Sequence, residues 1–265
     1  MEFDRLLAEG LSLDVEAYWG AGFLPERYSA DEPNWSYEAI ARPILTRAES
    51  ALDMGTGEGG VLAGLAPLPR LTVAYEEWWP TVPAAQATLR PLGVYLVVAL
   101  GSIDNVPKQD QRRRPSLPFQ AAAFDVVLNR HEAFDPFDVR RIIKPRGTFL
   151  TEQVGSDEAA SVRALLGLPV DNRAWSADVA VGQLQAAGWT VEDLREDRMT
   201  MEFSDIAALV GYLRTLPWAF EDLDLGRARA RLQQLHAQSR SKPIEAVSHR
   251  FLLLASPQSI SSRRD

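Results

Sequence analysis

The chain has 265 residues, 46% hydrophobic and 24% charged, with 36 Asp and Glu against 28 Lys and Arg and a formal net charge of −8. That composition is ordinary for a globular protein and excludes a collagen-like, coiled-coil or wholly disordered chain. The acidic balance disfavours a surface built to grip a polyanion such as a nucleic acid. There is no cysteine, so disulfides, thiolate metal sites and thiol nucleophiles are excluded. No run approaches the roughly 20 apolar residues that span a bilayer. The acidic start MEFDRLLAEG has no signal-peptide core, so a cytoplasmic protein without a membrane partner is expected.

Residues 1–48 read as a helical and irregular cap. Asn34 is placed to cap a helix carrying Trp35, Tyr37, Ile40 and Ala41, which Pro43 kinks or ends. Short apolar runs then alternate with helix-length segments: Ala51–Met54, Leu71–Tyr75, Val94–Leu100, Phe124–Leu128 and Thr148–Val154. This alternation predicts βαβ units on a parallel sheet. Thr81 precedes one helix and Gly93 follows it. Asp135-Pro136 opens a short helix over Phe137–Ile143, after which Lys144-Pro145-Arg146-Gly147 turns into the next strand. Ser156 and Gly167 bracket another helix, as do Ser176 and Gly188. The stretch from Lys108 to Gln120 reads as a long loop. A sixth strand is expected over Trp189–Leu194. Residues 203–239 are expected to be helical with a break at Leu216-Pro217-Trp218. A last strand, Arg250–Ala255, is expected to lie antiparallel at one edge. The fold class is therefore α/β: a doubly wound, Rossmann-like, mostly parallel sheet of seven strands, with helical elaborations at the N-terminus and before the last strand. One domain is expected, divided into a cap (1–48), a core (49–200), a lid-like helical insertion (201–248) and the final strand (249–256).

The chemistry concentrates at Ala51-Leu52-Asp53-Met54-Gly55-Thr56-Gly57-Glu58-Gly59-Gly60. An apolar strand ends in closely spaced glycines and a helix follows over Val61–Ala66. Glycines allow a sharp turn and close approach to a ligand, and free N–H groups are expected at the start of the helix. Asp53, at the carboxyl end of the strand, suits a cationic ligand group better than a pyrophosphate. Glu76 ends the next strand, 21 residues beyond Gly55, where a doubly wound fold puts an acid for ribose hydroxyls.

These residues resemble the class I S-adenosylmethionine-dependent methyltransferases, in an uncharacterised bacterial subgroup. The acid-x-Gly-x-Gly-x-Gly turn is matched by Asp53, Gly55, Gly57 and Gly59, and the acid of the second strand by Glu76. Asp104 stands for the residue beside the adenine. Leu117-Pro118-Phe119 with Phe124-Asp125-Val126-Val127-Leu128-Asn129, and Ile142-Ile143-Lys144-Pro145-Arg146-Gly147, are similar to later landmarks. Arg146 departs from the usual Pro-Gly-Gly turn, and Glu77-Trp78-Trp79 is bulkier than usual. The resemblance implies S-adenosyl-L-methionine as cofactor and in-line methyl transfer to an acceptor, with a small molecule as the expected acceptor. It also implies cofactor contacts at Asp53, Gly55, Thr56, Gly57, Gly59, Glu76, Glu77, Asp104 and Asn129.

His131, just past the fourth strand, is the candidate general base; a histidine packed beside Glu132 for structure is the plainer alternative. His236 and His249 read as structural, and no histidine pair has metal-ligand spacing. Arg112-Arg113-Arg114 could hold a phosphate but reads better as a solvated loop. Trp35, Tyr37, Trp78, Trp79 and Trp218 could line an acceptor pocket, although plain packing is the commoner role of tryptophan. Three other functions stay open: an NAD(P)-dependent oxidoreductase, since Gly55, Gly57 and Gly60 also fit G-x-G-x-x-G; an RNA methyltransferase; and a non-catalytic cofactor-binding protein.

Overall fold

The structure is a computed structural model that describes residues 2–13, 26–102, 104–106, 116–170 and 175–258. Most of the loop from Lys108 onward, the Arg112–Arg114 triplet and Ile103 lie outside these residues. In chain order the helices are α1 (Glu2–Ser12), α2 (Tyr37–Leu45), α3 (Gly60–Gly64), α4 (Val82–Leu89), α5 (Pro136–Ile142), α6 (Ser156–Leu166), α7 (Ala177–Ala186), α8 (Ile206–Thr215) and α9 (Leu225–Ser239). The strands are β1 (Tyr28–Ala30), β2 (Ser50–Met54), β3 (Leu71–Glu76), β4 (Tyr95–Val98), β5 (Phe124–Arg130), β6 (Ile143–Val154), β7 (Trp189–Phe203) and β8 (Ile244–Pro257).

The sheet has eight strands, not seven, in the order β1-β7-β8-β6-β5-β2-β3-β4. The additional strand is β1, three residues paired antiparallel to the far end of β7, Tyr28 opposite Phe203. Strands β4, β3, β2, β5 and β6 are mutually parallel. β8 is antiparallel to β6, with Phe149 opposite Ala255 and Val154 opposite Arg250. It does not lie at an edge as expected but between β7 and β6. Consecutive Phe251, Leu252 and Leu253 are all fully buried, as befits a strand covered on both faces.

Other local expectations need correction. Ser36, not Asn34, caps α2, its hydroxyl accepting from Ala39 N–H at 3.1 Å, and Pro43 is carried inside that helix. Lys144-Pro145-Arg146-Gly147 is part of β6 and forms a bulge: Phe124 pairs with Ile143, but Val126 pairs with Thr148. A Cβ on Gly147 would lie 2.8 Å from the Asp125 carbonyl, so the glycine is required there. Asp135 does cap α5, accepting from Phe137 and Asp138 N–H.

The chain divides into two compact units. The first comprises Met1–Asn34, Ser156–Ala174 and Asp197–His249. Its core gathers Phe3 and Leu6 of α1, the apolar Ile206–Val210 and Leu213 of α8, and Leu232 and Leu235 of α9. The second comprises Trp35–Gly155, Trp175–Glu196 and Arg250–Asp265. Its core lies on both faces of the parallel strands: Phe134, Phe149, Trp175, Trp189 and Phe251 on one, Tyr37, Leu45, Leu62, Leu89 and Leu252 on the other. Within this second unit the chain runs from β2 outward through β3 to β4, then returns to β5 on the other side of β2. That reversal makes the carboxyl ends of β2 and β5 the switch point of the sheet, the place where ligands of such sheets bind. Among the described residues no helix is long and apolar enough to cross a membrane.

Candidate functional site

β2 carries Asp53 to the rim, and three glycines then turn the chain into α3. Gly55, Gly57 and Gly59 have φ of 65°, 58° and 81°, a backbone region that side chains rarely tolerate. At Gly55 the space a Cβ would need is taken by Glu132, whose Cβ lies 2.6 Å and Oε2 2.8 Å from that position. At Gly57 nothing lies within 4 Å of it. One glycine thus makes room for a neighbouring side chain, while the other leaves the turn open.

Four of the turn's amides, those of Gly55, Thr56, Gly57 and Gly59, are engaged within the chain. Gly55 and Thr56 both donate to the Tyr75 carbonyl at 3.0 and 3.1 Å, and Gly59 donates to the Thr56 carbonyl at 3.0 Å. Gly57 donates to Glu76 Oε2 at 2.6 Å. The cause is the parallel neighbour β3: its last carbonyl and its terminal carboxylate reach across and satisfy the turn. Glu76 is almost fully buried. Its Oε1 accepts from Glu77 N–H at 2.9 Å and from Trp78 N–H at 2.8 Å. Burial raises the carboxyl above its ordinary range, and the three backbone donors partly offset this. Each carboxylate oxygen has two lone pairs, so Oε2, with one donor, retains a place for a ligand hydroxyl.

Asp53 is buried, and burial pushes its carboxyl up to about 7. The neighbouring Thr56 hydroxyl favours the ionised form, the Glu76 charge opposes it, and Arg130 offsets little. The site thus holds a desolvated carboxyl whose charge the protein leaves largely uncompensated. Four buried polar atoms of this unit also make no hydrogen bond among the described residues: Tyr37 Oη, Thr56 Oγ1 and Asn129 Nδ2 near the rim, and Trp175 Nε1 in the core. Buried groups of this kind are ordinarily paired.

Asn129 is fully buried at the end of β5, beside Met54 in register. Its Oδ1 accepts from Thr151 Oγ1 at 2.8 Å and Gln153 Nε2 at 2.6 Å. Gln153 Oε1 accepts from Asn105 at 3.0 Å, and Asn105 Oδ1 accepts from Phe134 N–H at 3.0 Å. This chain of amides ties the segment after β4 to the loop after β5. Asp104 Oδ1 accepts from Val106 N–H at 3.0 Å, an Asx turn that shapes its own segment. Glu77 Oε2 accepts from Gly101 N–H at 2.8 Å and so fastens the chain beyond β4.

His131 has φ of 61° and donates its backbone N–H to the Glu152 carbonyl at 2.8 Å. Its imidazole is about a third exposed, with Nε2 3.5 Å from Glu152 Oε1. Desolvation lowers the imidazole while Glu152 opposes that shift. Glu152 itself accepts from Trp35 Nε1 at 2.8 Å and Arg130 Nε at 2.9 Å. Burial alone would raise it, but His131, Trp35 and Arg130 together hold it at about 2.

The glycine turn, Asp53, Thr56 and Glu76 are therefore brought together at the switch point, with Asn129 on the adjacent strand. Glu77 and Asp104 are tied into the segments beyond β4, and His131 is tied to Glu152. Sequence reasoning missed Glu132, Glu152 and the hydroxyl of Tyr37 as parts of this rim. The apolar spacing gave no signal for the first two, and Tyr37 was expected as an aromatic wall of an acceptor pocket, not for its hydroxyl. Of the expected aromatic pocket, Trp35 and Tyr37 are buried, while Trp78 and Trp79 are exposed and Trp218 is exposed in the first unit. Among the described residues no cluster of His, Asp and Glu could hold a metal ion.

No protein-family model matches the sequence, and no curated protein matches it. Solved structures do match in fold. A protein from Bacillus halodurans described as a candidate methyltransferase superposes with a TM-score of 0.58 at 17% identity, over 85% of this chain and 100% of that one. A protein of unknown function from Deinococcus radiodurans gives 0.60 at 15% identity, over 97% and 99%. The YcgJ protein from Bacillus subtilis gives 0.57 at 16% identity, over 84% and 98%. With the strand order and the glycine turn between β2 and α3, the chain has the class I methyltransferase fold.

Proposed function

We propose that this protein is an S-adenosylmethionine-dependent methyltransferase acting on a small-molecule acceptor in the cytoplasm. The observation that carries the reading is Asp53: a buried carboxyl at the switch point, raised to about 7 by desolvation that Thr56 and Arg130 only partly offset. A ligand ammonium would compensate it. The open Cβ direction at Gly57 and the Asn129 amide N–H, which has no partner among the described residues, also fit a group bound along this turn. The cofactor, when bound, supplies an electrophilic methyl group on a sulfonium.

The chain's own residues then have distinct tasks. Asp53 holds the ammonium, and Glu76 takes a ribose hydroxyl on Oε2. The backbone of Gly55, Gly57 and Gly59 allows close approach, with the Thr56 hydroxyl beside it. Glu77 and Asp104 fix the segments that border the adenine. Asn129 lies at the methyl-transfer end, its amide orientation fixed by Thr151 and Gln153. His131, kept neutral by desolvation, accepts a proton where the acceptor must lose one. Holding donor and acceptor in line is the larger part of the work.

The oxidoreductase alternative is disfavoured by the same geometry. A dinucleotide pyrophosphate draws on backbone N–H groups of such a turn, and four of them, at Gly55, Thr56, Gly57 and Gly59, are already engaged, while the buried Asp53 carboxyl would repel it. An RNA acceptor is disfavoured by the net charge of −8. Equilibrium dialysis tests the reading: labelled S-adenosylmethionine should be retained and NADH should not. Retention of NADH with no uptake of S-adenosylmethionine would overturn it.

A further inference from the structure

Trp35 and Tyr37 flank the cap of α2. The Trp35 indole N–H donates to Glu152 Oε2 at 2.8 Å, and Ser36 closes the helix start on Ala39 N–H. The two contacts fix the first residue of α2 against the carboxyl ends of the parallel strands. Tyr37 is buried, and its hydroxyl has no hydrogen-bond partner among the described residues. Its surroundings are defined by charge: Asp53 from β2, Glu152 from β6 and Arg130 from β5 all act on it, as does Glu38 from its own helix. The Thr56 hydroxyl, beside Asp53, and the Asn129 amide N–H, on the adjacent strand, belong to the same rim.

Core packing does not account for this hydroxyl. A phenylalanine would fill the same volume and leave no unpaired oxygen, and a buried polar group without a partner is unfavourable. The arrangement has a definite chemical sense if a ligand cation is present. Asp53 supplies a charged acceptor and the Tyr37 oxygen a neutral one, and an ammonium carries three donors to share between them.

We infer that Tyr37 is a ligand-contacting residue, its hydroxyl oxygen accepting a hydrogen bond from the same ammonium that Asp53 holds. The inference rests on the S-adenosyl reading of the site and adds to it a residue outside the glycine turn and its acids. It also gives the indole of Trp35 a purpose: by fastening the start of α2 to Glu152, it keeps Tyr37 at the rim.

The test is calorimetry on the full chain with two ligands, S-adenosylhomocysteine and 5′-deoxy-5′-methylthioadenosine, which lacks the amino-acid end. Tyr37→Phe should weaken S-adenosylhomocysteine binding about tenfold, the usual effect of one hydrogen bond to a charged group. It should leave the truncated ligand within about twofold, since no hydrogen bond to it is removed. The variant should melt no lower than the wild type, because it removes an unpaired buried oxygen. Unchanged affinity for S-adenosylhomocysteine, or equal losses for both ligands, would overturn the role of Tyr37 and leave the S-adenosyl reading standing. Failure of the wild type to bind either ligand would remove that reading and this inference together.

Discussion

At the residue scale, Asp53 connects the site's chemistry to the stability of the fold. Its carboxyl is raised from 3.8 to about 7 by burial, so between these values the folded state binds a proton that the unfolded chain has lost. Stability therefore falls as pH rises through this window and is lowest above it, by about 4 kcal/mol at most. Asp53→Asn removes this penalty. Thermal melts should show the variant stabilised relative to wild type at pH 8 and little changed at pH 4, and a uniform loss at both would contradict the account. The same group makes cofactor affinity depend on pH. An ammonium prefers the ionised carboxyl, so affinity should rise as pH increases towards about 7 and level off above it. Asp53→Asn should bind weakly at every pH, with that slope gone.

The glycines offer a second comparison at this scale. Gly55→Ala places a methyl group against Glu132 in left-handed backbone, whereas Gly57→Ala meets only open space with a similar φ. Left-handed strain costs about 1–2 kcal/mol in either variant, and Gly55→Ala adds the displacement of Glu132. Urea titrations should find Gly55→Ala the less stable of the two. Gly57→Ala should act mainly on ligand binding, because the open direction is the one a ligand would use.

At the scale of elements, α2 is held to the sheet through Trp35 and Glu152. Glu152 is nearly fully buried and is held down from 4.5 to about 2, the donors of His131, Trp35 and Arg130 overcoming the cost of burial. A depressed carboxyl contributes stability that is present above its unfolded value and lost as pH falls towards its folded one. Acid titration should therefore weaken the protein between pH 4.5 and about 2. Trp35→Phe, which deletes one charged hydrogen bond, should cost about 1.5–3 kcal/mol at neutral pH. A neutral result in denaturant unfolding would mean the indole contact does not hold the helix.

The elements also show what the sequence makes legible. β2, β3 and β5 are buried along nearly their whole length, and such strands stand out as unbroken apolar runs. Strands β7 and β8 extend well beyond the expected runs through polar stretches that carry no apolar pattern, as in Glu192–Arg198 (EDLREDR) of β7. Pairing between neighbours, which no local signal reports, makes them strands. β1 is three residues long and exists only through its pairing with β7. Phe251-Leu252-Leu253 signals a strand covered on both faces, but its place between β7 and β6 is set by pairing that no local pattern reports. The site was legible where backbone geometry demanded particular residues, at Asp53 and the glycines. It was not legible where separated loops meet, as Glu132 meets Gly55.

At the scale of the whole molecule, the order of the parallel strands locates the site. The reversal of strand order at β2, with all these strands parallel, brings Asp53, Glu76 and Asn129 to one rim although they lie far apart in sequence. The net charge of −8 implies that RNA should show no salt-dependent affinity, which filter binding at low ionic strength would check. The measurement that bears most directly on the central claim is a crystal structure of the full chain with S-adenosylhomocysteine. The account predicts the ligand across the carboxyl ends of β2 and β3, its ammonium within hydrogen-bond distance of Asp53 and its ribose on Glu76. A ligand bound elsewhere, or bound at this rim with both carboxylates turned away from it, would contradict the account.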